Sequence, residues 1–508
     1  MALPESVPLD VAPLRCWREG GIAHLRFNRP QAMNAIDLPM AQAFHQACRQ
    51  ISADPQVRVC LLDAGGSDAR PRGQVPAGTI CLYKSRVFSW NFFSTPQKEL
   101  NNRRLHTPRG KALGGSSSIN GMVYIRGQAQ DYDHWAQLGN RGWSFQDVLP
   151  IFKRMERFEG GSDEFRGRNG ILPVTHTPRH KVPLLEKMIE AAEKMGLPYN
   201  PDQNGASQEG IGMSQVTIAK GRRQSTAYCY LDPARGRVNF TIEQGAMAGS
   251  LIIEGKRCVG VRYSVNGAPR EARATREVIV SGGSINSPKL LELSGIGDPT
   301  RLWSLGIDVN LPKPAVGANL QDHLQIRTVF KVKNTVTLNQ LANSWRGKMK
   351  IAAEYALYRS GPMSMAPSQF GMFTRSSPEE DRPDIEYHVQ PLSTDKIGDP
   401  LHPFPAITVS VCQLRPTSAG TCHITSADPA LQPEIRPNYL STDHDRGVAI
   451  AAIRQAQIVL ADRALRQARS LLQTEGYFSP DVEVNLENTS ELPHIIMKVT
   501  AGTPVRIV

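Results

Sequence analysis

Residues 22–27 (IAHLRF) alternate apolar and polar positions, the period of a half-buried strand. Asn28, Arg29 and Pro30 interrupt it, and Met40, Ala43, Phe44, Ala47 and Ile51 then recur at helical spacing. Asp54 and Pro55 end that predicted helix, and residues 57–62 (VRVCLL) read as a buried strand. Strand, helix, strand is the order of a parallel βαβ unit. Further strands are predicted over 257–263 (RCVGVRY) and 277–281 (EVIVS). Ser287 as N-cap and Pro288 at the first helical position open a helix over 289–294, which Gly295 closes. Strand and helix patterns mix over 326–374, residues 405–435 alternate like antiparallel strands, and 443–472 carry a long helical pattern. The layout predicts an α/β nucleotide-binding domain joined to an α+β domain.

Composition narrows this picture. A chain of 508 residues is too long for one compact core. Its 40% apolar and 21% charged residues match a soluble globular protein. No apolar run approaches a membrane span, and the start, MALPESVPLDVAP, reads as no secretory signal, so the expected location is the cytoplasm. The net charge of +12 comes from scattered basic residues. It reads as a solvated surface, with no stripe or reading module for nucleic acid. A basic surface leaves room for peripheral contact with a quinone-bearing inner membrane, although no basic amphipathic helix supports it. The eight cysteines form no CxxC pair, which argues against a disulfide framework and against zinc.

The segment richest in chemistry is 108–127, PRGKALGGSSSINGMVYIRG. Its glycines admit a ligand to backbone N–H groups, and its Ser and Asn side chains add hydrogen bonds. It is not a Walker A loop, because Gly110-Lys111 precedes the glycine pair. On composition alone it fits a flexible surface loop as well as an anion cradle.

RGKALGGSSSINGMVYIRG with DYDHWAQLGNRGW resembles the first signature of the glucose–methanol–choline (GMC) oxidoreductases, and GGSINSPKLLELSGIG at 282–297 is similar to the second. NGASQEGIGMSQVT, VGANLQDH and SADPALQPEIRPNYLS are family-like stretches in the family's order. The resemblance spans about 60–480 and is strongest to the choline-dehydrogenase-like and long-chain alcohol dehydrogenase branch. It implies a Rossmann-type FAD-binding domain with an α+β substrate domain. The implied reaction is oxidation of a choline-like or aliphatic primary alcohol by hydride transfer to flavin, with electrons passing to a quinone or another acceptor. By position, Arg109, Gly110, Gly114, Gly115, Ser116, Asn120, Gly121, Met122 and Val123 would lie along the pyrophosphate and isoalloxazine. Asp63, in LLDAGG, takes the place of the acidic residue on the adenosine ribose.

Two departures lead us to expect this fold to be incomplete at both ends. The glycine turn after the first strand is replaced by Phe27 to Ala35, FNRPQAMNA, in which Pro30 removes a backbone donor. Residues 14–60 resemble instead the opening of a crotonase, an acyl-CoA enzyme family, which predicts a chimeric start. The expected division is therefore 14–60, an FAD-binding region over 60–325, and a substrate region over 326–508. The end, KVTAGTPVRIV, resembles only the lead-in to the family's HPxGTxxMG motif, and Arg506 falls where the catalytic His belongs. No base is assigned. His494 reads as a surface or packed histidine on the preceding helix, His323 as a structural hydrogen-bonder, and Trp135, Trp143 and Trp303 as core. The sequence thus predicts a GMC-type alcohol oxidoreductase with impaired turnover. The alternatives are a non-catalytic remnant and, last, a crotonase-like enzyme.

Overall fold

The computed structural model describes residues 59–456, apart from 177–182, 195, 334–336 and 397, and four strands outside that span. Those four form two antiparallel hairpins, β1 (Leu14–Glu19) with β2 (Ile22–Phe27), and Asp481–Asn488 with Pro493–Thr500.

β2 therefore falls where the alternation predicts it, but its partner differs. The predicted parallel βαβ pairing is not formed: β2 runs antiparallel to β1, and β3 (Val59–Asp63) pairs in parallel with β5 (Phe240–Gln244). Two short strands separated by Gly20-Gly21 close a hairpin more readily than a crossover, because a tight turn costs less chain entropy. The predicted helix over 40–51 and the turn after Phe27 lie outside the described residues.

Antiparallel strands β6 (Ala246–Glu254), β7 (Arg257–Val265) and β8 (Ala268–Arg273) follow β5. Residues 277–281 form no strand, contrary to the pattern, and Ile279 is 78% exposed. An apolar run becomes a strand only where a neighbour takes its backbone bonds, and among the described residues the sheet of β3 holds β5 alone beside it. The next helix begins at Gly283 and runs to Leu293, so Pro288 lies inside it and Ser287 is not its cap. Its end is as predicted, with Gly295 in the left-handed region at φ 73°.

The second body is a five-stranded antiparallel sheet in the order β9 (Gln325–Lys331), β12 (Ala406–Gln413), β11 (Ile385–Gln390), β10 (Phe370–Thr374), β4 (Gly210–Met213). One face carries Ile211, Met213, Phe370, Met372, Ile385, Tyr387, Val389, Val409 and Val411. It packs against Met188, Ile189 and Ala192 of helix Pro183–Lys194 and against Val448, Ala452 and Ala456. The long helix predicted from 443 is helical over its described part, 443–456. Tyr387 fastens it by donating from its hydroxyl to Ala452 O at 2.9 Å.

Asp445 ties the start of that helix to the chain at Thr417 and Ser418, accepting from both backbone N–H groups at 2.9 Å and from the Thr417 hydroxyl at 2.8 Å. Burial alone would raise its carboxyl, but these donors hold it down at about 2, against an ordinary 3.8. A depressed carboxyl adds stability that is present above about pH 4 and lost as the pH falls toward 2. We expect the melting temperature to fall more steeply between pH 4 and pH 2 in the parent protein than in Asp445→Asn. Parallel curves would contradict this.

Candidate active site

The strand end at Asp63 and the glycine-rich stretch meet backbone to backbone. A Cβ at Gly65 would lie 2.2 Å from Lys111 O, and one at Gly110 would lie 2.1 Å from Gly115 O. Only glycine permits this approach. Leu113 N donates to Gly66 O at 2.9 Å, and Gly110 N donates to Ser116 Oγ at 3.1 Å. Gly114, at φ 84°, turns the chain into the one-turn helix Gly115–Ser118. Cβ positions at Gly66, Gly115 and Gly121 would meet nothing within 4 Å, so the loop keeps an open, side-chain-free face. Asp63 Oδ1 accepts from Gly65 N at 2.7 Å, and burial raises its carboxyl against that bond. Arg109 lies half-buried, its guanidinium donating to Pro108 O at 2.8 Å.

The far end of the loop is held from beneath by Arg223, which sequence reasoning passed over as scattered charge. Its side chain is buried, and burial lowers its pKa to about 10, with Tyr83 and Asp68 opposing the shift. The guanidinium donates to Asn120 O at 2.7 Å, Asn120 Oδ1 at 2.8 Å, Ser117 O at 3.2 Å and Thr79 Oγ1 at 2.5 Å. Asn120 Oδ1 also accepts from Met122 N at 3.1 Å. Met122, at φ 63° and fully buried, packs with Val216, Ile218 and Ala366. Of the nine loop residues singled out by position, Asn120 and Met122 thus form its frame.

Beyond Val123 the loop is fixed by buried charges. Glu156 accepts from Arg166 Nε at 2.9 Å and Nη2 at 3.0 Å, and pairs with Arg126 Nη2 at 2.8 Å. Arg166 also binds Asp202 Oδ1 at 2.5 Å and Gln215 Oε1 at 2.7 Å. Asn204 joins this cluster to the loop by donating to Tyr124 O at 3.0 Å and Gln215 Oε1 at 2.7 Å, and by accepting from Arg126 N at 2.7 Å. Burial would raise the Glu156 carboxyl, but the Arg166 and Gly167 donors and both guanidiniums keep it below the usual range.

Val123, Tyr124 and Ile125 form one wall of a narrow, partly open cavity. The opposite wall is the second face of the five-stranded sheet, including Gly371, Phe373, Glu386 and His388. Cross-strand register puts Arg327, Ser410, His388 and Gly371 in one row, and Gln325, Cys412, Glu386 and Phe373 in the next. Ser410 Oγ and two guanidinium nitrogens of Arg327 are buried without a hydrogen-bond partner among the described residues. A legible signal was present: ITVSVC and IEYHVQ alternate polar with apolar, although every residue of ITVSVC is buried and only His388 and Gln390 of IEYHVQ are partly open. Such alternation with both faces covered marks a polar interface.

Trp135, Trp143 and Trp303 are 45%, 52% and 67% exposed, not core. Each lies at a helix or its margin, where an indole covers the surface with one side in water. His323 is the expected structural bonder, its Nε2 lying 2.9 Å from Leu414 O. His494 falls in the strand Pro493–Thr500 rather than on a helix, because its segment IIMKVT favours extended pairing. The tail 501–508, with Arg506, lies outside the described residues.

A side-chain-free glycine cradle at a parallel strand end leads, at Val123, into a cavity walled by a polar sheet face. The family model described as GMC oxidoreductase matches residues 20–325, and a second with that description matches 416–500. The chain belongs to the GMC oxidoreductase family. The first match takes in most of the stretch that resembles a crotonase opening. The chain is 38% identical over 437 residues to the oxygen-dependent choline dehydrogenase of Brucella anthropi, covering 86% of this chain and 79% of that one. It is 39% identical to the enzyme of that name from Chromohalobacter salexigens, with coverage of 86% and 78%. Pyridoxine 4-oxidase from Mesorbium loti superposes with a TM-score of 0.71 at 27% identity, over 81% of this chain and 77% of that one. A formate oxidase shares the fold, with a TM-score of 0.73 at 24% identity and coverage of 81% and 78%. No described helix is long and apolar enough to cross a membrane.

Glu156→Gln should leave two buried guanidiniums facing a neutral amide. We expect it to cost about 3–5 kcal/mol in urea unfolding, the range for one partner removed from a buried pair. A cost under about 1 kcal/mol would show the cluster to be dispensable.

Proposed function

We propose that this protein binds FAD along the open face of the loop and oxidises a choline-like or aliphatic primary alcohol in the cavity beside Val123. The observation that carries this reading is the side-chain-free glycine surface at the strand end, with a narrow, partly polar cavity lined by the next residues of the same stretch, Val123 to Ile125. Gly66, Gly115 and Gly121 leave room for flat contact, and Gly110, Gly114 and Ser116 hold that surface in shape. Asp63, at the strand end, is placed to accept from ribose hydroxyls once its bond from Gly65 loosens. Arg109 stands beside the same surface as a cation for phosphate. FAD, when bound, supplies the acceptor for the alcohol's hydride.

This chain's own part is to hold the alcohol's carbon toward the loop and keep bulk water out. The segment Val123–Ile125 is fixed through Asn204, and the polar sheet face supplies partners for a hydroxyl. The relatives' name supports choline as the first substrate to test and oxygen as the first acceptor, with a quinone as the alternative. We assign the division near residue 325 to this plan, with cofactor contacts before it and most of the sheet after it.

Purified protein should be yellow with one FAD per chain, and its flavin absorbance should bleach when choline is added without oxygen. A colourless preparation that takes up no added FAD would favour the non-catalytic remnant. Arg223→Met should fold yet carry at most a tenth of the parent's FAD, because Asn120 and Ser117 lose their common donor. Full flavin content in that variant would disprove the role given to the loop.

A further inference from the structure

The polar sheet face holds a cluster that no spacing along the chain predicts. Glu386 and His388 are two apart on β11, so their side chains share a face, and Cys412 on β12 stands directly opposite Glu386 in register. His388 Nε2 lies 3.3 Å from Glu386 Oε1, and Cys412 Sγ lies 3.9 Å from Glu386 Oε2. One ligand atom from each residue falls within 4.8 Å of the others. We propose that Glu386, His388 and Cys412 form a site for a thiophilic divalent cation of the zinc type, with its fourth position open to the cavity.

Three observations carry the assignment beyond proximity. Tetrahedral zinc, with bonds of roughly 2.0–2.3 Å, sets its ligand atoms about 3.3–3.6 Å apart. The His388–Glu386 distance lies in that range, and Cys412 Sγ, 3.9 Å from the other carboxylate oxygen, would close by a few tenths of an ångström. His388 Nδ1 is 3.3 Å from Ser368 Oγ, which orients the ring so that Nε2 faces the cluster, as the second shell of a metal-bound histidine does. Glu386 is 7% exposed and pairs with His388 through one oxygen. Its other oxygen accepts from the weak Cys412 thiol donor, which a thiophilic ion would replace.

Binding replaces the Cys412 S–H bond with a sulfur–metal bond and releases the proton to solvent. Burial, and then the neighbouring carboxylates Glu386 and Asp322, push the free Cys412 thiol up. Glu386 and His388 also line the cavity beside Val123, so a bound ion would occupy that cavity whether or not alcohol is oxidised there.

The test is equilibrium dialysis of the full chain against zinc chloride, followed by zinc-edge X-ray absorption, neither of which depends on turnover. We expect one zinc per chain, with one sulfur near 2.3 Å and the remaining ligands nitrogen or oxygen. His388→Gln, at a partly exposed side chain, should stay folded by its melting curve and bind zinc at least tenfold more weakly. Cys412→Ser should remove the sulfur shell. A first shell without sulfur in the parent, or undiminished zinc affinity in folded His388→Gln, would overturn the proposal.

Discussion

The buried cluster at Glu156 is the constraint on which the candidate site rests. Two arginines, Arg126 and Arg166, and two carboxylates, Glu156 and Asp202, meet almost out of reach of water, with Glu156 fully buried. The cluster is formally neutral, which makes so much buried charge tolerable, but each member depends on the others. It fixes Arg126 at the end of the glycine-rich stretch and, through Asn204 and Gln215, the segment at Tyr124 that walls the cavity. The family-like NGASQEGIGMSQVT stretch thereby acquires a physical role, because it carries both the amide that holds the loop and the amide that binds Arg166.

The loop is therefore stiff where it needs to be and bare where a ligand would lie. Arg223 and Met122 anchor it from below, one by hydrogen bonds and one by packing. Above it, the open positions at Gly66, Gly115 and Gly121 leave backbone exposed. A flexible surface loop would have no such buried supports, so that one of the two equal compositional readings falls away. Opposite, the five-stranded sheet divides its labour by face. Its apolar side binds the helices at 183–194 and 443–456, and its polar side is turned toward the loop.

Much of this was legible in the order of residues. The strand ending at Asp63, the helix ending at Gly295, the antiparallel strands between 405 and 435, and the helix from 443 all follow from local periodicity and breakers. The family signatures identified the glycine cradle and its chemistry. The failures share a cause. Residues 277–281 have the composition of a buried strand and no strand beside them, and β2 has the right pattern but a hairpin partner. A strand is a property of two segments, and one segment cannot report the other.

Sequence by itself determined the family and the likeness to alcohol-oxidising flavoenzymes, because these reside in contiguous motifs. Tertiary structure alone decided that Met122 is buried, that Asn120 is held by Arg223, that Glu156 fixes the end of the loop, and that Glu386, His388 and Cys412 converge. Those relations depend on register between strands and on charges buried from several places in the chain, and neither is written in local spacing.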